Sequence, residues 1–173
     1  MTRELYLLRH GKSAQNSEME DFDRPLKKRG ELAAIRIGKW LKQEQLIPDY
    51  IVSSPAHRAI ATAIGVYQAI GGNELQIVQD KRLYMKGSKK IISLLAEIPV
   101  ESSRVLLVGH NPDLEDLLGF LIGSQNLPLT DKLLPTAAMA RLTMPADWSQ
   151  LSAKCATLLS ITYAKTLILN DTK

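Results

Sequence analysis

The chain has 173 residues, enough for one domain with a sizeable buried core, and residues 1–173 are expected to form a single unit. Hydrophobic residues make up 45% and charged residues 23%, ordinary values for a soluble globular protein. Twenty-two Lys plus Arg against 18 Asp plus Glu give a net charge of +4, a slight bias toward anionic substrates. That excess is too weak for a nucleic-acid binder, and 5% aromatics do not supply a base-stacking platform.

Strand-like apolar runs alternate with helical periodicity along the chain. Leu5 to Leu8 is a short apolar run. Ala33, Ile37, Trp40 and Leu41 mark one helix face, and Pro48 closes that region. Tyr50 to Val52 reads as a second strand. Pro55 then suits a first helical position, with Ser54 as its cap. Ile60, Ile64 and Tyr67 are expected to face the core from that helix, which Gly71-Gly72 stops. Leu75 to Val78 reads as a third strand, and Ile91, Leu94, Leu95 and Ile98 mark a third helix. Arg104 to Gly109 is the clearest strand in the sequence. Pro112 suits the next helix start, with Asp113, Glu115 and Asp116 in its first turn and Leu114, Leu117, Leu118 and Leu121 on its buried face. After Pro128, Ala138 to Met144 and Ala156 to Tyr163 look like edge strands, one of them antiparallel to the rest.

This alternation predicts an α/β fold in three layers, with a mostly parallel central sheet covered by helices on both faces. Ligands bind such sheets beyond the carboxyl ends of the strands. Arg9 and His10 follow the first strand, Ser53 to Arg58 follow the second, and His110 and Asn111 follow the Arg104–Gly109 strand. The reactive residues are therefore expected at one rim.

Two arginines and two histidines at one rim suit a dianionic phosphate. The arginine fork matches phosphate oxygens, helix starts near Pro55 and Pro112 add backbone donors, and a neutral imidazole is a competent nucleophile. Nearby arginines keep His10 neutral, and a cationic His110 is expected to stabilise charge on the transferring group. Gly11 is read as letting the backbone turn close to a bound phosphate. Taken one at a time, each residue also fits an ordinary turn or surface role. Their joint placement after strands favours a site.

The residues YLLRHGKS at 6–13 resemble the RHG signature of the histidine phosphatase superfamily, the phosphoglycerate-mutase-like fold. DRPLKKRG at 23–30, SSPAHRAIATA at 53–63 and VLLVGHNPDLEDLL at 105–118 are similar to further segments of that family, in the expected order. The short length and the GHNP form most resemble the SixA-type phosphohistidine phosphatases. The resemblance implies that His10 is the phosphorylated nucleophile. It places Arg9, Arg58 and His110 in the phosphate pocket and makes Asn16 a further phosphate contact. It implies a two-step hydrolysis through a phosphohistidine, without metal or cofactor. The substrate class it implies is a phosphorylated protein or a small phosphate ester.

The general acid departs from the family pattern. Larger members carry a carboxylate after the third strand, where this chain reads DKRLYMKGSKK, with no acid between Lys81 and Lys90. Asp21, in SEMEDFD at 17–23, matches an aspartate of SixA-like members and is the candidate acid, with Glu18, Glu20 and Asp23 as rivals and a solvated loop as the alternative. His57 is expected to face solvent. The alternatives to a phosphohistidine phosphatase are a small-molecule phosphatase or mutase of the same fold and a phosphate-binding module without turnover. Three histidines without His-x-x-x-His spacing give little support to a metal hydrolase.

A single cysteine, Cys155, excludes an internal disulfide, fits a reducing compartment and reads as a small buried hydrophobe. No apolar run approaches ~18 residues, so neither a membrane span nor a membrane partner is expected. MTRELYLLRH does not read as a signal peptide, and a cytoplasmic location is expected.

Overall fold

The computed structural model describes residues 2–16, 18–73 and 76–167. Six strands, β1 (Arg3–Arg9), β2 (Tyr50–Ser53), β3 (Ile77–Gln79), β4 (Arg104–Gly109), β5 (Ala138–Met144) and β6 (Thr157–Tyr163), form one sheet in the order β3-β2-β4-β1-β5-β6. The first four are mutually parallel, β5 runs antiparallel to β1, and β6 pairs antiparallel with β5. The antiparallel pairing thus lies at one edge, as expected. Of β5 and β6 only β6 is an edge strand, because β5 is hydrogen-bonded on both sides; β3 forms the opposite edge. Leu75, placed in the third strand from sequence, lies outside the described residues.

Four helices complete the layers: α1 (Lys28–Gln43), α2 (His57–Ala69), α3 (Ser88–Leu95) and α4 (Asp113–Ile122). The central strands are apolar on both sides because both faces are covered. Leu5 and Leu7 of β1 join a cluster with Ile91, Leu95, Leu114 and Leu118 from α3 and α4. Tyr6 and Leu8 point the other way, into a cluster with Ala34, Ile37, Ala63 and Val66 from α1 and α2. The β6 edge is more open, and Leu159 there is exposed.

Two local expectations are corrected. α2 begins at His57 with Ala56 as its N-cap, rather than at Pro55 after a Ser54 cap. The Ser54 hydroxyl accepts the Ala56 amide at 3.2 Å and is turned toward the rim of the sheet. The core side of α2 is formed by Ala59, Thr62, Ala63 and Val66, while Ile60, Ile64 and Tyr67 are half-buried. The reason is a close α1–α2 approach: a Cβ on Gly38 would lie 2.4 Å from the Val66 carbonyl oxygen, so only small side chains fit between these helices. Cys155 is half-buried against the α3/α4 cluster. Among the described residues no helix is long and apolar enough to cross a membrane.

Candidate active site

Strand register creates the site. In the β1–β4 pair Arg9 lies opposite Gly109, so the next residues, His10 and His110, emerge side by side beyond the same sheet edge. The His10 amide donates to the Gly109 carbonyl at 3.1 Å, and the two imidazole centroids are 5.1 Å apart. β2 adds Ser54 on the far side of β4, where its hydroxyl lies 2.8 Å from His110 Nε2. Arg58 enters from the first turn of α2. His10, Arg58 and His110 are each only 5–6% exposed.

His10 Nδ1 is 2.8 Å from the Gly11 carbonyl oxygen, which only accepts. The neutral ring must therefore carry its proton on Nδ1, which leaves the Nε2 lone pair free. Burial, with further contributions from the fields of Arg58, Arg9 and Arg24, pushes the imidazole down to about 4. The opposing Gly11 hydrogen bond is outweighed. The Gly11 amide donates to Thr62 Oγ1 at 3.0 Å, and the Thr62 hydroxyl donates to the Arg58 carbonyl at 2.7 Å. The nucleophile segment is thereby tied to the helix that carries Arg58. Gly11 is required for packing: a Cβ there would lie 2.7 Å from the Gly30 carbonyl oxygen of α1.

His110 is also neutral. Burial, then His10 and Arg58, push it down to about 3, so the surroundings of His110 favour the neutral ring over the cationic form expected from sequence. The cause is desolvation without a nearby partner strong enough to retain the proton.

Asp21 lies in the site, on a short 3₁₀ turn at Asp21–Asp23. Its Oδ2 accepts from Arg58 Nη2 at 3.0 Å and from the Tyr84 hydroxyl at 2.6 Å. Its Oδ1 accepts from Arg24 Nε and Nη2, and its carbonyl accepts from Arg58 Nη1 at 2.7 Å. The Tyr84 bond first, then the arginines, hold the carboxyl at about 2. Asp21 is therefore held as an ionised partner of Arg58 rather than as a ready proton donor.

Arg9 is positioned by backbone. Its Nη1 donates to the Leu134 carbonyl at 3.1 Å, which also accepts from Asn111 Nδ2 at 2.9 Å. The Ala137 amide bonds the carbonyls of Arg9 and His10 at 3.1 and 3.0 Å. Four buried polar atoms lack a partner among the described residues: Arg9 Nε, Arg58 Nε, His110 Nδ1 and Asn111 Oδ1.

Asn16 stands apart. It is exposed, and its Oδ1 accepts the Glu18 amide within the 16–19 turn, outside the buried Arg–His cluster. Glu18 and Glu20 are both exposed. Asp23 is exposed, and His57 is exposed as expected, with Nδ1 3.3 Å from the Asp23 carbonyl. Sequence reasoning missed Tyr84, Thr62 and the Leu134 carbonyl. Tyr84 had one available signal: it falls in the KRLYMKG segment, where larger relatives carry their acid. Among the described residues no group of three or more His, Cys, Asp or Glu side chains is arranged to hold a metal ion.

The sequence profile of the "Histidine phosphatase superfamily (branch 1)" fits residues 5–84. A protein assigned as phosphohistidine phosphatase SixA from Agrobacterium tumefaciens is 30% identical, with 94% of this chain and 98% of that one covered and a TM-score of 0.77. The chain belongs to the histidine phosphatase superfamily. A protein histidine phosphatase SixA complexed with tungstate shares the fold at a TM-score of 0.78, with 21% identity over 94% of this chain and 97% of that one. A 2,3-bisphosphoglycerate-dependent phosphoglycerate mutase of Bifidobacterium longum is 38% identical over 86 residues, 48% of this chain but only 35% of that protein.

Proposed function

We propose that this protein is a phosphatase that works through a phosphohistidine on His10, with a protein phosphohistidine as its favoured substrate class. The observation that carries this reading is the fixed tautomer of a buried, neutral His10, whose free Nε2 shares its pocket with Arg58 and His110.

In the first step a bond forms between His10 Nε2 and phosphorus as the bond from phosphorus to the leaving group breaks. Arg9 and Arg58 hold the non-bridging oxygens, and each carries a buried Nε donor without a partner among the described residues. A bound dianion draws Arg58 away from Asp21 and places negative charge beside the carboxylate. Both effects raise the Asp21 pKa from its resting value of about 2, so Asp21 gains a proton only when substrate is present. That proton passes to the leaving group. In the second step water attacks phosphorus, its proton returns to Asp21, the bond to Nε2 breaks, and phosphate leaves with His10 neutral again.

Exposed apolar side chains favour a protein substrate. Phe22 packs edge-on against Tyr84, and Tyr84 packs edge-on against His110. Phe22 and the neighbouring Met85 are 40% and 74% exposed. An apolar surface beside the phosphate pocket suits docking of a folded partner. A small phosphomonoester is the second reading, favoured by the partial likeness to the mutase.

The test is hydrolysis of a phosphohistidine carrier protein and of a panel of sugar and nucleotide monophosphates, with excess chelator, by wild type and His10→Ala. Wild type is expected to act, to prefer the carrier and to accumulate acid-labile, base-stable phosphate. Activity that disappears with chelation or survives loss of His10 would sink the mechanism.

A further inference from the structure

Behind the catalytic segment lies a separate cavity of about 490 Å³, bordered by five cations: Lys12, Arg29, Arg36, Lys132 and Lys165. Among the described residues no carboxylate lines it. None of the five has an ion pair among the described residues, whereas Arg24, Arg58, Arg82, Arg104 and Arg141 are all paired with Asp or Glu. Five uncompensated cations around one cavity repel one another, and a bound polyanion removes that repulsion. Apart from Thr136 the rest of the wall is apolar or aromatic, with Leu32, Pro135, Tyr163 and Ala164. The volume suits a small ligand rather than a peptide laid across an open face.

We propose that this cavity binds a nucleoside polyphosphate, with the phosphates among the five cations and the base against Tyr163 and Leu32. It is distinct from the catalytic pocket but shares a wall with it. Ala137 lines the cavity while its amide bonds the Arg9 and His10 carbonyls, and Lys12 follows His10 by two residues. Occupancy is therefore sensed by the segment that holds the nucleophile.

The experiment is equilibrium titration with ATP at low ionic strength, with tungstate saturating the catalytic pocket. Variants are Arg36→Glu and Lys165→Glu, both on exposed positions and checked by circular dichroism, and Arg58→Ala as the catalytic-pocket control. ATP is expected to bind despite tungstate, to lose at least about tenfold in affinity in each charge-reversed variant, and to be unaffected by Arg58→Ala. Tripolyphosphate, which lacks the base, is expected to bind at least about fivefold more weakly than ATP. The proposal is overturned by loss of ATP binding under tungstate, by unchanged affinity in both charge-reversed variants, or by equal binding of tripolyphosphate. It is equally overturned if an oligoglutamate peptide binds through Arg36 while ATP does not, since the surface would then serve an acidic protein.

Discussion

The Tyr84 hydroxyl donates a 2.6 Å hydrogen bond to Asp21 Oδ2, the same oxygen that accepts from Arg58 at 3.0 Å. This three-way contact pairs Arg58, the proposed phosphate-binding arginine, with an internal carboxylate. Tyr84→Phe removes the largest influence holding Asp21 near 2, so the carboxyl pKa is expected to rise. Carbon-detected NMR of the Asp21 side chain reads this directly. An unmoved titration would mean that the phenol does not set the carboxylate's charge.

Arg58 carries both the contact to Asp21 and the proposed contact to phosphate. Arg58→Ala is expected to lower kcat/KM by roughly 10²–10³-fold, the usual scale for losing a transition-state donor. Arg58→Lys should recover only a small part, because a point charge lacks the fork that spans two acceptors. Full recovery by lysine in a steady-state assay would rule out a two-donor role.

The depressed imidazoles set the acid limit. His10 at about 4 and His110 at about 3 remain neutral well below the ordinary histidine range, so the acid limb of kcat/KM is expected near pH 4 rather than 6.5. The same shifts act on stability. Between about pH 6.5 and 4 the unfolded chain binds more protons than the folded one, so stability present above 6.5 is lost as pH falls through that window. Denaturant melts of wild type and His10→Asn across pH 4–7 should diverge in slope there.

Dianion binding should reverse the charge state of His110. Opposite charge within a few ångströms favours the imidazolium, so tungstate binding near pH 7 is expected to draw a proton into the site. Titration calorimetry in buffers of different ionisation enthalpy measures the uptake. It should fall in His110→Asn to the part taken up by Asp21, and equal uptake in that variant would falsify the assignment.

Gly11 and Thr62 bear on stability as well as chemistry. Gly11→Ala pushes a methyl to 2.7 Å from the Gly30 carbonyl oxygen, and Thr62→Val strips the acceptor from the buried Gly11 amide. Each is expected to cost about 1–3 kcal/mol. At roughly 2–4 °C per kcal/mol for a chain of this size, thermal melts should drop by several degrees. Variants that melt with wild type would show that the β1–α1–α2 junction is slack.

Much of the fold was legible because its signals are local. Arg104–Gly109 and Ala138–Met144 were read at the bounds the structure shows, since long apolar runs between turn residues leave few other options. Helix α2 was misread at its start and on its buried face. Ser54 and Pro55 satisfy a local capping rule, but Ser54 is turned toward His110, and close α1–α2 packing selects Ala59 and Ala63 over the larger Ile60 and Ile64. Asn16 fits a family pattern in sequence, while its own turn holds its side chain outside the cluster.

By itself, the sequence determined which residues reach the rim. The order of strands and helices, with Arg9-His10 and His110 directly after strands, leaves those groups only one sheet edge to occupy. Tertiary structure alone decided their states: the His10 tautomer, the neutral His110, the ionised Asp21 and its link to Tyr84. Charge state depends on burial and on partners as distant in sequence as Asp21 and Tyr84, 63 residues apart. It also depends on backbone carbonyls such as those of Gly11 and Leu134, which are chemically alike at every position and carry no mark in the sequence.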